Sequence, residues 1–388
     1  MRFTSLLLAL LLIAVPLAGR AADPPYEVYA LMALTGTNAF FGNEEAKGFQ
    51  MAESYINAHG GINGRPIHFI IQDDQSNPQV AVQLMNGALA HKPAIVFGGG
   101  VVATCNAISG LIKDDGPLLY CISSGVHPPA GGFIFSSGFS TTDQIPASVR
   151  YLRGKGWTKM AVITSTDATG QEADKILDVT FAAAENKTVT VVDREHFAPS
   201  DISVAAQMAH VKQSGAQALV AWTTGTPLAT ILRGMRDAGM DLPVATTGGN
   251  LSYAQMEQYA SIMPTNLIIP GLAMIAPEAV NDRGVRRAIA DYLDVAKAAG
   301  IRPDNGHAIT WDTALILVAA LKKYGVNATA AQLRDFYNNT TGWNGLYGKF
   351  DYKAAPQRGL TVDTILVVRW DPPTKSFVGV SKLGGLPR

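Results

Sequence analysis

I-H-F-I-I-Q-D-D-Q-S-N-P-Q-V-A-V-Q-L-M-N-G-A-L-A-H-K-P-A-I-V-F-G-G-G (67–100) holds one complete unit of the fold. Ile67 to Gln72 is a short β-branched and aromatic run. Asp73-Asp74-Gln75-Ser76-Asn77-Pro78 is turn chemistry that leads into a helix reaching Ala90, and Ala94 to Phe97 is a buried strand closed by three glycines. Strand, helix and strand at this spacing predict a βαβ unit, which requires a parallel sheet covered by helices. Upstream, Tyr26 to Leu34 reads as a strand. Glu44 to Ala58 is a helix with Ala46, Phe49, Ala52, Tyr55 and Ile56 on one face, stopped by Gly60-Gly61. Downstream come a helix over Cys105 to Lys113 and a strand over Pro117 to Ile122.

The alternation then begins again. Helices are predicted over Ile145 to Gly154, Gln171 to Ala184, Ser203 to Ser214 and Pro227 to Gly239. The strands between them are Lys159 to Thr164, Thr188 to Glu195, Ala218 to Trp222 and Pro243 to Thr246. Asp282 to Gly300 and Ala308 to Tyr324 are further helices, and Leu360 to Trp370 is a long β-rich run. The halves are alike in type and order without a sequence repeat, and no low-complexity linker divides them. The chain is long enough for two domains of ordinary size.

Arg2, the apolar run Leu6 to Val15 and Gly19-Arg20-Ala21 have the pattern of a secretory leader over 1–21. The apolar run is shorter than the ~20 residues a membrane-spanning helix needs. No cysteine follows it, so a lipid anchor is not expected. Lys plus Arg and Asp plus Glu both number 31, and the leader holds two of the arginines, so the exported chain is slightly acidic. With no basic stripe, a nucleic-acid partner has no electrostatic support. Cys105 and Cys121 are the only cysteines, and export permits a disulfide between them; a bridge and two buried thiols both fit the sequence.

Gly98-Gly99-Gly100 follows a strand and precedes a helix, but Ala103 stands where a dinucleotide fingerprint needs its third glycine. What remains is a tight turn whose free N–H groups suit a carboxylate. There is no nucleophile elbow, no metalloprotease motif and no local Cys/His pair, and the seven histidines are scattered. Neither an enzyme, a metal nor a cofactor is expected. Asp73-Asp74 reads as helix entry rather than as paired acids. Trp311 and Phe49 read as core.

L-T-G-T-N-A-F-F-G (34–42), I-N-A-H-G-G-I-N-G-R-P-I (56–67), Q-D-D-Q-S-N-P-Q-V-A-V (72–82), A-V-I-T-S-T-D-A-T-G-Q (161–171), L-R-G-M-R-D-A-G (232–239) and H-A-I-T-W-D-T-A (307–314) together carry a resemblance. The exported chain resembles the type I periplasmic binding proteins of the Leu/Ile/Val-binding group, which serve ABC importers. The resemblance implies two doubly wound, Rossmann-like α/β lobes with parallel sheets, joined by three crossings, with the ligand in the inter-lobe cleft. It divides the chain into residues 24–143 plus about 272–340 for lobe one, and 144–271 plus about 341–388 for lobe two. It implies a periplasmic monomer that works with a permease in the inner membrane.

Carried onto this chain, the cleft walls are Phe40, Phe41, Val101 to Thr104 (with Val102 and Ala103 between), Ser123 and Ser124 from lobe one. Lobe two supplies Asp167 to Thr169, Trp222 to Thr224, Thr247 to Asn250, and Tyr253. Amino-acid binders of the group hold the α-carboxylate with a Ser and a Thr hydroxyl, and the α-ammonium with an acid from lobe two. Here Val102 occupies the Ser position and Gly248 the acidic one, with Asp167 the candidate replacement. A buried ammonium without a counter-ion is expensive. The expected ligand is therefore an aromatic carboxylate, a benzoate- or hydroxycinnamate-like acid, held by flat apolar walls and by the amides near Thr104 with Ser123 and Ser124. His127 is either an anion partner or a loop residue. The competing readings are branched-chain or other amino-acid or amide binding on the same fold, a soluble sensor or co-receptor, and a secreted enzyme.

Overall fold

Five parallel strands form the first sheet: β1 (Tyr26–Met32), β2 (Ile67–Asp73), β3 (Ile95–Gly98), β4 (Leu118–Cys121) and β5 (Ile134–Ser136), in the order β2-β1-β3-β4-β5. The computed structural model describes residues 23–388, and the leader expected over 1–21 lies outside the described residues. β3 and β4 are buried throughout, as their unbroken apolar runs require when helices cover both faces. Those helices are α1 (Ala39–Ala58), α2 (Pro78–Ala90) and α3 (Val102–Ser109). α2 starts where the turn chemistry puts it: the Asn77 side chain accepts from the Gln79 and Val80 amides, and Pro78 opens the first turn.

The second half contains α4 (Thr141–Gly154), β6 (Lys159–Ser165), α5 (Ala168–Ala182), β7 (Thr190–Phe197), α6 (Ala205–Gln213), β8 (Ala218–Trp222), α7 (Pro227–Asp237), β9 (Val244–Ala245), α8 (Tyr253–Gln258) and β10 (Leu267–Gly271). There follow α9 (Arg283–Ala298), α10 (Asn305–Tyr324), α11 (Ala330–Asn339), β11 (Thr341–Asn344), β12 (Lys349–Asp351), β13 (Leu366–Asp371) and β14 (Ser376–Gly379). The second sheet runs β14-β13-β10-β9-β8-β6-β7. Its β6 to β10 pairs are parallel, while β13 joins β10 antiparallel and β14 forms the edge. This is the doubly wound, two-lobed α/β architecture expected. Among the described residues no helix is long and apolar enough to cross a membrane.

The late helices return to the first lobe. α10 lies along α1, and its Trp311 ring packs against Tyr55 and Tyr292, 4.9 and 5.0 Å between centroids. Phe49 of α1 packs on Phe69 and Phe97 of the sheet, so both aromatic rings belong to the core. The β11–β12 hairpin also sits on this side: Tyr352, just past it, packs on Phe135 and Tyr337. We therefore propose that the third crossing follows Tyr352 rather than residue 340. Within this lobe Asp312 is buried, and its Oδ2 accepts from the Leu346 amide at 2.8 Å, which pins α10 to the hairpin. Burial raises its pKa to about 7.

Cys105 on α3 and Cys121 at the end of β4 are joined in a disulfide, with Cα atoms 6.0 Å apart. Some elements differ from the periodicity. α1 begins at Ala39 rather than at Glu44, and the β-rich run after Leu360 first makes a 3-10 turn over Val362–Thr364.

Candidate functional site

A narrow cleft with a cavity volume of about 20 Å³ lies where the two sheets face each other. Asn38 and Phe41 reach it from the start of α1, Gly100 from the β3–α3 turn, and Ile122 and Ser124 from the segment after β4. Ser137 and Phe139 come from the first crossing and Gln144 from α4. Thr224 and Gly249 follow β8 and β9, and Asn305 and Ile309 lie at the start of α10. Every contributing loop leaves the C-terminal end of a strand or enters a helix N-terminus, where open α/β sheets place ligands. Gly100 has to be glycine, because a Cβ there would stand 2.6 Å from the Phe41 ring.

The walls divide cleanly. Phe41, Phe139, Ile122 and Ile309 are apolar, and no lining residue has an ionisable side chain. Three side-chain amides face the cleft, of which two are committed to the protein. Gln144 donates to the Phe139 carbonyl at 2.7 Å and accepts from the Gly248 amide at 2.8 Å. Asn305 donates to the Gly248 carbonyl at 2.7 Å and accepts from the Tyr347 hydroxyl. Ser137 accepts from the Phe139 amide at 3.1 Å, which leaves its own O–H to donate.

Two acidic groups lie behind the wall. Glu45 is fully buried beneath Gly99 and Gly100; burial, reinforced by the buried Asp74, pushes its pKa well above the usual carboxylate range and favours the neutral acid. On the neighbouring helix His307 is flanked by Glu44 at 2.9 Å on Nε2 and by Asp304 at 3.0 Å on Nδ1. Burial alone would lower the His307 pKa, but the two carboxylates outweigh it and raise it to about 9. Burial also raises Asp304, whereas at Glu44 the opposing burial is outweighed by His307 and Lys47, and its pKa falls. Glu44, Asp304 and His307 are close enough together to suggest a metal group. A pKa of about 9 favours the imidazolium at neutral pH, which has no lone pair to give a cation; in this ion-pair bridge Nδ1 bonds to Asp304 while Nε2 faces Glu44 without hydrogen-bond geometry.

That bridge matters for closure, because Asp304 Oδ2 also accepts from the Tyr253 amide of lobe two at 3.4 Å. Its pH dependence has a definite sign. A histidine whose pKa is 6.5 unfolded and about 9 folded stabilises the fold fully below pH 6.5 and loses that contribution as pH rises to about 9. The melting temperature is expected to fall over this window, and His307→Gln should flatten that part of the profile. An unchanged slope in the variant would show that another group titrates there.

Further contacts between the lobes ring the cleft. The Thr226 amide donates to the Thr37 carbonyl at 3.1 Å, and the Asn305 amide to the Leu251 carbonyl at 3.4 Å. His127 Nε2 pairs with Glu172 Oε1 of α5 at 2.6 Å, and the Phe40 ring meets Tyr259 edge-on at 6.0 Å. His127 is thus an inter-lobe partner of Glu172.

Of the residues expected at the wall, the structure brings Phe41, Ser124, Thr224 and, from the loop Thr247 to Asn250, Gly249 into the cleft lining. Phe40 is at the lobe contact just described. Val102 is buried between α3 and its own sheet, Ala103 is half-buried on the same turn, and Thr104 donates to the Val101 carbonyl. Ser123 is fully buried one residue before the lining. Asp167 caps α5, with Oδ1 accepting from the Gly170 amide and the Ser165 hydroxyl, and Thr169 is buried in the turn that it caps. Trp222 is in the core behind the second sheet. Asn250 braces the turn after β8, accepting from the Gly225 amide at 2.9 Å and donating to the Thr223 carbonyl at 2.7 Å. Tyr253 packs against Trp370 and Phe377 with the Arg302 guanidinium 3.6 Å over its ring. Sequence reading did not find Asn38, Ile122, Ser137, Phe139, Gln144, Asn305 and Ile309. Asn305 and Ile309 arrive only through the packing of α10 on α1, a contact that no local pattern encodes.

The family model described as "Periplasmic binding protein" matches residues 26–376. An amino acid binding protein of Pseudomonas aeruginosa is 25% identical over 240 residues, covering 57% of this chain and 63% of that protein, so the chain spans less than two thirds of this relative's length. A type 1 periplasmic binding protein of Bordetella pertussis superposes with a TM-score of 0.78 at 19% identity, over 92% of this chain and 99% of the other. A solute binding protein from R. palustris, solved in complex with benzoate, gives 0.76 at 18% identity over 92% and 95%. These structural likenesses establish the fold.

Proposed function

We propose, for a chain that belongs to the periplasmic binding protein family, that the cleft captures a small aromatic carboxylate and that the protein delivers it to an ABC permease in the inner membrane. The observation that carries this reading is the absence of any ionisable side chain from the lining, together with the two rings Phe41 and Phe139. An α-ammonium would be desolvated there with no counter-ion, which costs several kcal/mol at least. Walls of this kind suit a flat apolar body once the lobes part to admit it. Its carboxylate is served by neutral donors: the hydroxyls of Ser124, Ser137 and Thr224, and the unpaired amides at the start of α3 beside Gly100. Asp167 lies outside the lining, its Oδ1 accepting from the Gly170 amide as the cap of α5. The benzoate held by the R. palustris protein agrees with this size and charge. On this reading the protein binds and does not catalyse, acts as a monomer in the periplasm, and reaches that compartment through the leader over 1–21.

The Pseudomonas relative's name favours a second reading, an amino acid in the same cleft. Thermal melts of the exported chain separate the two, since a ligand that binds only the folded state raises the melting temperature with concentration. At millimolar ligand, benzoate and 4-hydroxycinnamate are expected to raise it by several degrees, and leucine to leave it unchanged. Stabilisation by leucine alone would overturn the aromatic-acid reading.

A further inference from the structure

Asn38 is the odd member of the cleft. It is 3% exposed and lines the cavity, its Oδ1 has no hydrogen-bond partner among the described residues, and its Nδ2 makes no hydrogen bond to them. The other two lining amides, Gln144 and Asn305, are both held by backbone groups or Tyr347. Asn38 precedes α1, yet its side chain does not cap that helix; only its backbone is engaged, the amide donating to Ser76 Oγ and the carbonyl accepting from the Gly42 amide. The helix therefore does not explain the residue. A buried carbonyl acceptor left unpaired is unfavourable, and the groups that would satisfy it are donors brought by whatever fills the cleft.

From this juxtaposition of one free buried amide with two engaged ones, we infer that Asn38 is a specificity residue for a hydrogen-bond donor on the ligand's ring, so that the preferred ligand is a hydroxylated aromatic carboxylate. The inference rests on the aromatic-carboxylate reading and narrows it. The ring hydroxyl donates to Asn38 Oδ1 and can accept from Nδ2, while the carboxylate is held at the hydroxyls of Ser124, Ser137 and Thr224. A site built to bond a hydroxyl discriminates strongly against an analogue that lacks it, because the buried group then goes unpaired.

The test is a calorimetric titration of the full exported chain with benzoate, 3-hydroxybenzoate, 4-hydroxybenzoate and 4-methoxybenzoate. At least one hydroxybenzoate is expected to bind 10-fold or more tightly than benzoate, and the methoxy compound, which cannot donate, no better than benzoate. Asn38→Ala should bring the hydroxybenzoates to within twofold of benzoate when all are titrated into the same variant. The wild-type ranking stands without the variant, so a misfolded variant does not remove the test. Benzoate and both hydroxybenzoates binding wild type within twofold of one another would overturn the role of Asn38 and leave the aromatic reading standing. Loss of benzoate binding in Asn38→Ala would assign the amide to the carboxylate and overturn the inference as stated. No binding by any of the four would overturn both.

Discussion

Gly225→Ala is expected to lower the affinity for benzoate by about 100-fold, roughly 2.7 kcal/mol, without unfolding the protein. Gly225 follows β8 at φ +73°, and a Cβ there would stand 1.9 Å from the Thr37 carbonyl of the opposite lobe. The adjoining amide, Thr226, is the one that donates to that carbonyl when the lobes meet. A methyl group cannot be accommodated against backbone on both sides, so the lobes have to stay apart. The open form has no such contact and should fold with only the modest left-handed backbone penalty, of order 1–2 kcal/mol. Gly239→Ala isolates that penalty: it has φ +68° and nothing within 4 Å of the added Cβ. Calorimetry should give wild-type affinity for Gly239→Ala and a loss for Gly225→Ala, and small-angle scattering should show Gly225→Ala failing to contract on adding benzoate. Wild-type affinity in Gly225→Ala would mean that the ligand is held without this closure.

Asp312→Asn should make the protein more stable at pH 8 than the wild type, by up to ~4 kcal/mol, and nearly equal to it at pH 4. The folded-state pKa of about 7 lies above the ordinary value of 3.8, so the folded protein holds this proton more tightly than the unfolded chain. Stability is then highest at low pH and falls between about pH 4 and 7, by ~1.4 kcal/mol per unit of separation. Asparagine keeps the oxygen that accepts from the Leu346 amide and has no charge to desolvate. Urea unfolding of both proteins at pH 4, 6 and 8 measures the difference. His307 titrates in both, so it cancels from the comparison. Parallel pH profiles for the two proteins would show that Asp312 is not the group responsible.

The lobes were legible in the chain because each βαβ unit states itself locally. The Asn77-Pro78 helix entry and the apolar runs of β3 and β4 are short-range signals, and the structure follows them to within a few residues. The cleft was legible only where it is built from the strand that precedes it, as at Ser124 and Thr224. Trp222 was expected at the wall from its place at the end of β8. Trp222 is still within β8 and packs into the core behind the sheet, while Thr224 lies beyond the strand end, where the chain turns into the cleft. Asp167 was expected as a charge partner, but a carboxylate just before a helix has a closer use as its cap. The two residues from α10 and the pair Ser137 and Phe139 at the first crossing depend on how the lobes pack, information held by residues more than a hundred positions apart.

The Cys105–Cys121 bridge couples the helix that starts beside Gly100 to the strand that delivers Ser124. When the lobes separate, this half of the site therefore moves as one body, its donors already set in their mutual positions. The incoming ligand meets a preformed half-site and does not have to order a loop, so little conformational freedom is lost at first contact. Encounter should then be fast and nearly independent of the later swing of the second lobe, with the slow step confined to its closing and reopening.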